Sequence, residues 1–176
     1  MTTTERHALS LQLEVVFRIA ERTDLPRLEW GGEYTHFRRV FKSAFEDQQA
    51  GRRLMLLADL NGWPIGQVFI QLESYDTLFN PAGKRAYLYS LRVMEMFRQK
   101  GLGTALLHEA ESVLRDREYK SLSIAAAKDN PGARRLYERL GYRVFTEDMG
   151  RWQYIDHEGR TRHVVEPCWL LEKTLS

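Results

Sequence analysis

The stretch Arg98-Gln99-Lys100-Gly101-Leu102-Gly103-Thr104 is the part of the sequence that decides the fold. It lies between an alternating apolar segment at 86–93, which predicts a strand, and a helical stripe of apolar residues at 101–117. Glycines let backbone N–H groups approach an anion closely, and a helix N-terminus adds unpaired donors and a favourable dipole. Two basic side chains and a hydroxyl in the same stretch strengthen the attraction. The stretch therefore predicts a phosphate cradle.

The spacing of the glycines narrows the kind of cradle. It is not the Gly-x-x-x-x-Gly-Lys-Ser/Thr of a Walker loop, nor the Gly-x-Gly-x-x-Gly of dinucleotide-binding folds. Taken alone, the motif also fits a glycine-rich helix start that binds nothing. The residues that follow the helix decide between these interpretations.

A second block, Asn130-Pro-Gly-Ala-Arg-Arg-Leu-Tyr-Glu-Arg-Leu-Gly-Tyr142, follows a strand-like run at 122–127. Pro131 suits the first turn of a helix, and Gly141 suits its end. Asn130 can cap this helix. By its spacing Tyr137 falls among the apolar positions, so without further context it would be interpreted as a core aromatic residue.

Together, the two blocks resemble the GNAT superfamily of acetyl-coenzyme A-dependent N-acetyltransferases. That family combines an Arg/Gln-x-x-Gly-x-Gly/Ala loop with a downstream Asn-x-x-Ala-x-x-Leu-Tyr-x-x-x-Gly-Phe/Tyr helix. The specific match covers about residues 86–146 and includes Leu91-x-Val93. Two positions depart from the pattern: Glu95 stands where members usually carry proline, and Gln99 stands where glycine is common. We expect Glu95 to point to solvent.

The resemblance implies a role for each matching residue. Backbone N–H groups of the cradle would hold the coenzyme A pyrophosphate. The backbone of Leu91 and Val93 would pair with the pantetheine arm, which requires their strand to splay from the strand at 121–127. Asn130 would bond a pantetheine amide, and Tyr137 would protonate the departing thiolate. The implied cofactor-binding residues are Leu91, Val93, Arg98, Gln99, Lys100, Gly101, Leu102, Gly103, Thr104 and Asn130, the implied catalytic residue is Tyr137, and no metal is implied.

The order of predicted elements indicates a single α/β domain over residues 1–176, with a mixed central sheet, helices on both faces and a C-terminal β-hairpin. A first strand is predicted at 13–19 and an amphipathic helix between Asp24 and about Ala50. Asn61-Gly62 predicts a tight hairpin turn between runs at 53–60 and 63–72.

Alternation along the strand at 86–93 places Tyr87, Tyr89, Leu91 and Val93 on one face. Strands are also predicted at 142–146, 152–155 and 164–171. Pro167 inside the last run predicts an edge strand or a bulge, and an exposed edge there would support a homodimer.

Composition excludes several other classes of protein. The chain has 176 residues, 43% hydrophobic and 28% charged, with a formal net charge of +2. That charge does not predict a nucleic-acid partner. Cys168 is the only cysteine, which excludes an internal disulfide, and the histidines lack metal-ligand spacing. No apolar run suits a membrane span and the N-terminus does not read as a secretory signal, so a cytoplasmic protein is expected.

The predicted function is transfer of an acetyl group from acetyl-coenzyme A to a primary amine by direct attack in a ternary complex. A non-catalytic acyl-coenzyme A binding or sensing module is the main alternative, and a nucleotide-binding enzyme of another fold is the second. The strands that carry a general base in many members offer no carboxylate here, which leaves Glu33, Glu73, Asp76 or a water relay.

The acceptor is left open between a small molecule (a polyamine, amino sugar or amino acid) and a protein N-terminus. Segments 24–50, 73–85 and 150–163 are expected to frame its pocket. Their aromatic and acidic residues would suit a cation; these are Trp30, Tyr34, Tyr75, Trp152, Glu29, Glu33, Glu73 and Asp76.

Overall fold

A seven-stranded mixed sheet forms the centre of the protein in the computed structural model, which describes residues 7–8, 10–72 and 85–176. The strands are β1 (Val16–Ile19), β2 (Arg53–Leu60), β3 (Trp63–Gln71), β4 (Arg85–Val93), β5 (Ser121–Ala127), β6 (Arg143–Asp148), β7 (Arg151–Ile155), β8 (Thr161–Val165) and β9 (Cys168–Thr174), and the α-helices are α1 (Arg38–Gln49), α2 (Leu102–Asp116) and α3 (Pro131–Arg139). The strand order is β1-β2-β3-β4-β5-β9-β6, and β7 and β8 form a separate two-stranded sheet. The predicted architecture, an α/β domain with a mixed central sheet and a C-terminal β-hairpin, is confirmed.

Helices cover both faces of the sheet, so its central strands are buried on both sides. On one face Phe41 and Phe45 of α1 pack against Met55, Leu57 and Phe69. On the other face α2 and α3 pack over a larger cluster of aliphatic side chains. Two-sided burial explains why β2 and β3 are near-continuous apolar runs instead of alternating ones.

The β2–β3 hairpin turns where the sequence predicts. Asn61 and Gly62 have φ angles of 53° and 83°, the left-handed conformations that a tight primed turn requires. The Asp59 carboxylate accepts a hydrogen bond from the Gly62 N–H at 2.6 Å and closes the turn.

The prediction that Tyr87, Tyr89, Leu91 and Val93 share one face of β4 is wrong, because the strand contains a bulge. Gln67 pairs with Arg92 and Phe69 with Tyr89, so two residues of β4 lie opposite one residue of β3. Ser90 at the bulge has a φ of 52°, and its carbonyl accepts a bond from the buried Gln67 side chain at 3.3 Å. An extra residue reverses the alternation. Tyr87 and Tyr89 therefore face α1, but Leu91 and Val93 pack with the α2 cluster.

The prediction of one helix across 24–50 is wrong in its first half. Residues 22–37 form three short 3-10 turns, and only Arg38–Gln49 is α-helical. The interruption lies at Trp30-Gly31-Gly32, whose φ angles are all positive and cannot continue a helix. Glu29 stabilises this layout because it accepts bonds from Arg38 at 2.6 Å and Thr35 at 2.9 Å.

The prediction of a single final strand at 164–171 is also wrong. The chain leaves β8 at Val165, crosses at Glu166-Pro167 and re-enters the main sheet as β9. Because β9 lies between β5 and β6, it is an interior strand. Pro167 lies in the link before β9, where its lack of a backbone N–H costs the sheet no hydrogen bond. The exposed edge from which a homodimer was predicted is therefore not there.

Candidate active site

The parallel pair β4 and β5 separates halfway along its length. The two strands pair from Arg85 with Ser121 to Leu88 with Ile124, and no further. Beyond that point β4 stays paired to β3 as far as Val93, and β5 stays paired to β9 as far as Ala127. The gap between them opens toward the end of β4 that leads into the glycine-rich loop.

The backbone of β4 offers hydrogen bonds into this gap. The Met94 N–H donates to the Ile65 carbonyl of β3 at 2.9 Å. Because successive residues of a strand direct their polar groups to opposite edges, the N–H and C=O of Val93 point away from β3, into the gap. The Arg98 side chain donates to this Val93 carbonyl at 2.9 Å and ties the loop to the strand. An extended ligand could pair here as an added strand.

The glycine-rich loop forms a cavity of about 390 Å³ at the start of α2. Gly101 is the N-cap of α2 with a φ of 81°, which favours glycine. An added Cβ at Gly103 would meet only the Val93 side chain, at 4.0 Å, so the space beside it is open. The residues lining the cavity are Val93, Phe97, Arg98, Gln99, Gly101, Leu102, Gly103, Thr104, Leu136 and Arg139.

This lining matches most of the implied anion site. Gln99 has a φ of 59°, which explains why glycine suits this position in the family. Lys100 is exposed and does not line the cavity, whereas Arg139 from the end of α3 does. Arg139 was missed from the sequence because nothing in its spacing distinguishes it from a solvent-facing residue. Glu95 is exposed, as expected.

A second, larger cleft of about 830 Å³ contains the gap itself. Its walls come from α1, from β4 and β5, from the start of α3 and from the turn between β6 and β7. Phe37 and Trp152 lie on the α1 side, where their rings stack at 6.2 Å. Leu91, Asn130 and Tyr137 lie on the gap side. The structure thus brings Leu91, Asn130 and Tyr137 to one cleft, while Val93 lines the cavity at the glycine-rich loop.

Tyr137 presents an unpaired hydroxyl to this cleft. Its side chain is only 6% exposed, and burial raises its pKa to about 12. Among the described residues, none forms a hydrogen bond with the Tyr137 hydroxyl. Tyr142, whose ring centroid is 6.0 Å away, instead donates its hydroxyl proton to Glu111 at 2.9 Å. Tyr137 therefore belongs to the core cluster, as its spacing predicts, and differs from Tyr142 in that its hydroxyl has no partner among the described residues.

Residues 19–142 match the profile of the Acetyltransferase (GNAT) family. The chain belongs to the GNAT acetyltransferase family. Similar solved structures include the ribosomal-protein-S18-alanine N-acetyltransferase of Escherichia coli, with 23% identity and a TM-score of 0.69, covering 93% of this chain and 95% of that one. Arabidopsis thaliana NAA60 in complex with acetyl-CoA has 20% identity and a TM-score of 0.67, covering 92% and 99%. An N-acetyltransferase of Staphylococcus aureus Mu50 has 15% identity and a TM-score of 0.70, covering 93% and 99%. At these identities the solved structures establish the fold.

Asn130 has two roles open to it in this GNAT domain. Its side-chain oxygen caps α3 by accepting the Ala133 N–H at 3.1 Å. The side chain is exposed and lines the cleft, so its amide N–H₂ can donate to a ligand. The helix-cap interpretation is confirmed, and it leaves the ligand role in place.

The carboxylates of the cleft differ from those named from the sequence. Glu73 and Asp76 lie outside the described residues. Glu33 is exposed and does not line the cleft. The described carboxylates that do line it are Asp148, which accepts the Gly150 N–H at 2.8 Å, and Glu166, whose side chain makes no hydrogen bond to a described residue.

The position of Glu166 is fixed by a close backbone crossing. Its N–H donates to the Gly150 carbonyl at 3.1 Å. A Cβ added at Gly150 would lie 2.0 Å from the Glu166 carbonyl oxygen, and Gly150 has a φ of 57°, so glycine is required there. The crossing holds Glu166 at the mouth of the cleft, close enough to Tyr87 and Arg92 to affect both electrostatically.

Two further observations bound the chemistry of the described residues. The described residues contain no cluster of three or more His, Cys, Asp or Glu side chains arranged to hold a metal ion. No helix among them is both long and apolar enough to cross a membrane.

Proposed function

We propose that this protein is an N-acetyltransferase that moves the acetyl group of acetyl-coenzyme A to a primary amine by direct attack in a ternary complex. The observation that carries the proposal is the gap between β4 and β5. Val93 lines the anion cradle at the open end of this gap, and Leu91 and Tyr137 line the adjoining cleft, which supports the proposal. A phosphate-bearing ligand with a long amide arm fits this sequence of groups.

The binding roles follow the geometry. Backbone N–H groups between Gln99 and Thr104 receive the pyrophosphate at the start of α2, with Arg98 and Arg139 adding positive charge. Leu91 and Val93 pair with the pantetheine arm through β4. Asn130 donates to one of its amides while it caps α3.

The chemistry is one substitution at the thioester carbonyl. The amine nitrogen forms a bond to the carbonyl carbon, the carbon–sulfur bond breaks, and the amine gives up a proton. The Val93 N–H is suited to bond the oxygen on which negative charge develops. Tyr137 donates its hydroxyl proton toward the departing sulfur. Glu166 takes the proton of the amine and passes it to water at the cleft mouth, and Tyr137 regains a proton from water once the thiol has left.

Cys168 lines the same cleft, and the protonated form of its thiol favours direct attack over an acetyl-cysteine intermediate. The side chain is buried, and burial raises the pKa of its thiol. The thiolate is the nucleophilic form of cysteine, so a raised pKa leaves little of it near neutral pH. Positioning of amine and thioester can supply the acceleration without a covalent step.

The test is release of coenzyme A thiol from acetyl-coenzyme A in the presence of a panel of primary amines. We expect release that saturates with both substrates and gives intersecting lines in a two-substrate analysis. A folded protein that binds acetyl-coenzyme A but releases no thiol with any amine would support the non-catalytic binding module instead. Binding of ATP or NAD in its place would support a nucleotide enzyme.

A homodimer and a cytoplasmic location complete the proposal. Family members often pair through the C-terminal region, but the edge strand predicted there is interior, so a dimer has to use another surface. Sedimentation at micromolar concentration tests it: a clean monomer would remove the dimer from the proposal.

A further inference from the structure

Arg92 is a half-buried cation on the α1 side of the cleft. It lines the cleft, and its Nη1 atom is buried without a hydrogen-bond partner. The guanidinium carbon lies 4.3 Å from the centroid of the Tyr34 ring and 4.8 Å from that of Phe37. Among the described residues, none accepts a hydrogen bond from this guanidinium. A buried N–H group without an acceptor is costly, so an acceptor from outside the chain is expected.

The β4 bulge is what brings Arg92 to the cleft. Without the extra residue at Ser90, alternation would direct the Arg92 side chain into the aliphatic cluster under α2. The bulge reverses the alternation, so the side chain lies on the α1 side with Tyr87 and Tyr89. Bulges next to active sites commonly re-aim a side chain in this way.

Other partly buried guanidinium groups of the protein have carboxylate partners. Arg18 bonds Asp24 at 2.7 Å, Arg53 bonds Asp47 at 3.1 Å, and Arg85 bonds Glu172 at 2.6 Å. Arg92 has acidic neighbours in Glu33 before α1 and Glu166 before β9, which affect it electrostatically. Neither forms an ion pair with it. The guanidinium lies against two aromatic rings, and no described carboxylate is paired with it.

We propose that Arg92 binds a carboxylate of the acceptor, so that the acceptor is an amine that also carries a carboxylate; this rests on the acetyl transfer proposed above. The planar guanidinium fork matches a carboxylate with two parallel hydrogen bonds. A carboxylate fits better than a phosphate dianion, because Glu33 and Glu166 repel the second negative charge. Glu166 then faces the amine while Arg92 holds the acid.

The same geometry argues against a purely cationic acceptor such as a polyamine. One aromatic residue that the sequence offers to a cation, Tyr34, is used by the protein itself, since its ring lies against the Arg92 guanidinium together with that of Phe37. Glu29, another member of the predicted acidic lining, is paired with Arg38. A second cation would meet the positive charge of Arg92.

Two matched pairs of acceptors test the proposal by thiol release. The first pair is L-methionine and L-methioninamide, which differ only in the carboxylate. The second pair is the dipeptide amides Ala-Asp-NH₂ and Ala-Asn-NH₂, which carry the same difference in a side chain next to a peptide N-terminus. The two pairs distinguish a free amino acid from an acidic peptide as the source of the carboxylate. Rates are measured at a pH above the pKa values of all four amines.

For the wild type we expect kcat/KM to favour the acid over the amide by about tenfold to a hundredfold in at least one pair. Arg92→Met should reduce that preference to near unity, mainly by raising KM for the acid. Arg92→Lys, which keeps the charge but loses the fork, should keep a preference of intermediate size. Arg117→Met, at an exposed site beyond the end of α2, removes the same charge and should keep the full preference.

The KM for acetyl-coenzyme A and the melting temperature show whether each variant is folded. If Arg92→Met fails to fold, the Arg92→Lys preference decides: a value equal to that of the wild type overturns the proposal. A wild-type protein that acetylates acid and amide equally in both pairs also overturns it, while acetyl transfer stands. Absence of thiol release with every amine would overturn the acetyl-transfer proposal and this inference with it.

Discussion

The two halves of the β4–β5 pair are built from adjacent residues of the same strands and have opposite properties. In the first half, Ala86 and Leu88 of β4 lie beside Leu122 and Ile124 of β5, and all four are fully or nearly fully buried. In the second half the strands part, and the backbone of Val93 has β3 on one side and no strand on the other. One half is core, and the other is the proposed binding surface.

Two tyrosines that follow β5 show the same division. Tyr142 belongs to the closed half, because its hydroxyl bonds Glu111, which also bonds Lys173 of β9 at 2.8 Å. Tyr137 lies at the open half with its hydroxyl unpaired. An aromatic residue that lies in a core pattern but leaves its polar atom without a partner is thus a candidate for function.

The largest effect is expected when the hydroxyl of each tyrosine is removed in turn. Tyr137→Phe should lower kcat roughly tenfold to a hundredfold, at the low end of general acid catalysis because a pKa of about 12 makes a weak acid. Melting temperature and KM for acetyl-coenzyme A should hold. Tyr142→Phe is the control, and should lose about 1–3 kcal/mol of unfolding free energy while kcat holds. Unchanged turnover with lost stability in Tyr137→Phe would reverse the assignment.

Two glycines at matched helix positions sharpen the contrast on the cofactor side. Gly103 and Gly132 are each the second residue of a helix, α2 and α3. An added methyl group meets nothing closer than 4.0 Å at the first and 3.5 Å at the second, and alanine is the better helix former. Gly103→Ala should keep or raise the melting temperature and raise KM for acetyl-coenzyme A about tenfold, the loss of one or two hydrogen bonds to a charged group. Gly132→Ala should leave KM unchanged. An equal KM for acetyl-coenzyme A in both variants would contradict the assignment of the loop at Gly103 as the phosphate-binding site.

A substitution at Glu166 tests whether the cleft at the open half supplies the group that accepts the proton of the amine. Glu166→Gln should lower kcat at neutral pH by about tenfold, less than general base catalysis can contribute, because water can replace the carboxylate at the cleft mouth. The loss should shrink at high pH, where the amine is already neutral. Glu158→Gln, at the exposed tip of the β7–β8 hairpin, is the control. A constant loss at every pH would make Glu166 a positioning residue.

The pH profile carries the smallest expected effect. Tyr137 acts in its protonated form, and its pKa of about 12 lies above the ordinary value near 10. The protonated form therefore persists as pH rises, and kcat at saturating amine should stay on its plateau at pH 10.5, where an ordinary tyrosine would already have lost most of its proton. The melting temperature at each pH is the control. A decline centred near pH 10 would indicate an ordinary tyrosine.

Much of the fold is local in origin and could be predicted. The Asn61-Gly62 turn, the apolar stripe of α2 and the proline start of α3 each depend on neighbours in sequence. The errors came where tertiary contacts decide. The Trp30-Gly31-Gly32 interruption is held by Glu29 and Arg38, and the interior place of β9 depends on strands far away in sequence.

The site divides in the same way. The cradle, Asn130 and Tyr137 follow from two contiguous motifs. Arg92 could not be assigned, because its direction depends on a bulge at Ser90 that no residue type announces. Glu166 could not be assigned either. It reaches the cleft because its backbone crosses that of Gly150, which lies on the other side of the β7–β8 hairpin in the sequence. Long-range geometry thus supplies the residues that would select the acceptor.

The central claim is that the open half of β4 binds the arm of acetyl-coenzyme A, and amide hydrogen exchange at Val93 tests it most directly. Leu88 in the closed half is the internal reference, since it already lies beside β5. We predict that saturating acetyl-coenzyme A slows exchange at Val93 at least tenfold and leaves Leu88 unchanged. Unaltered exchange at Val93 while acetyl-coenzyme A is bound would contradict the account.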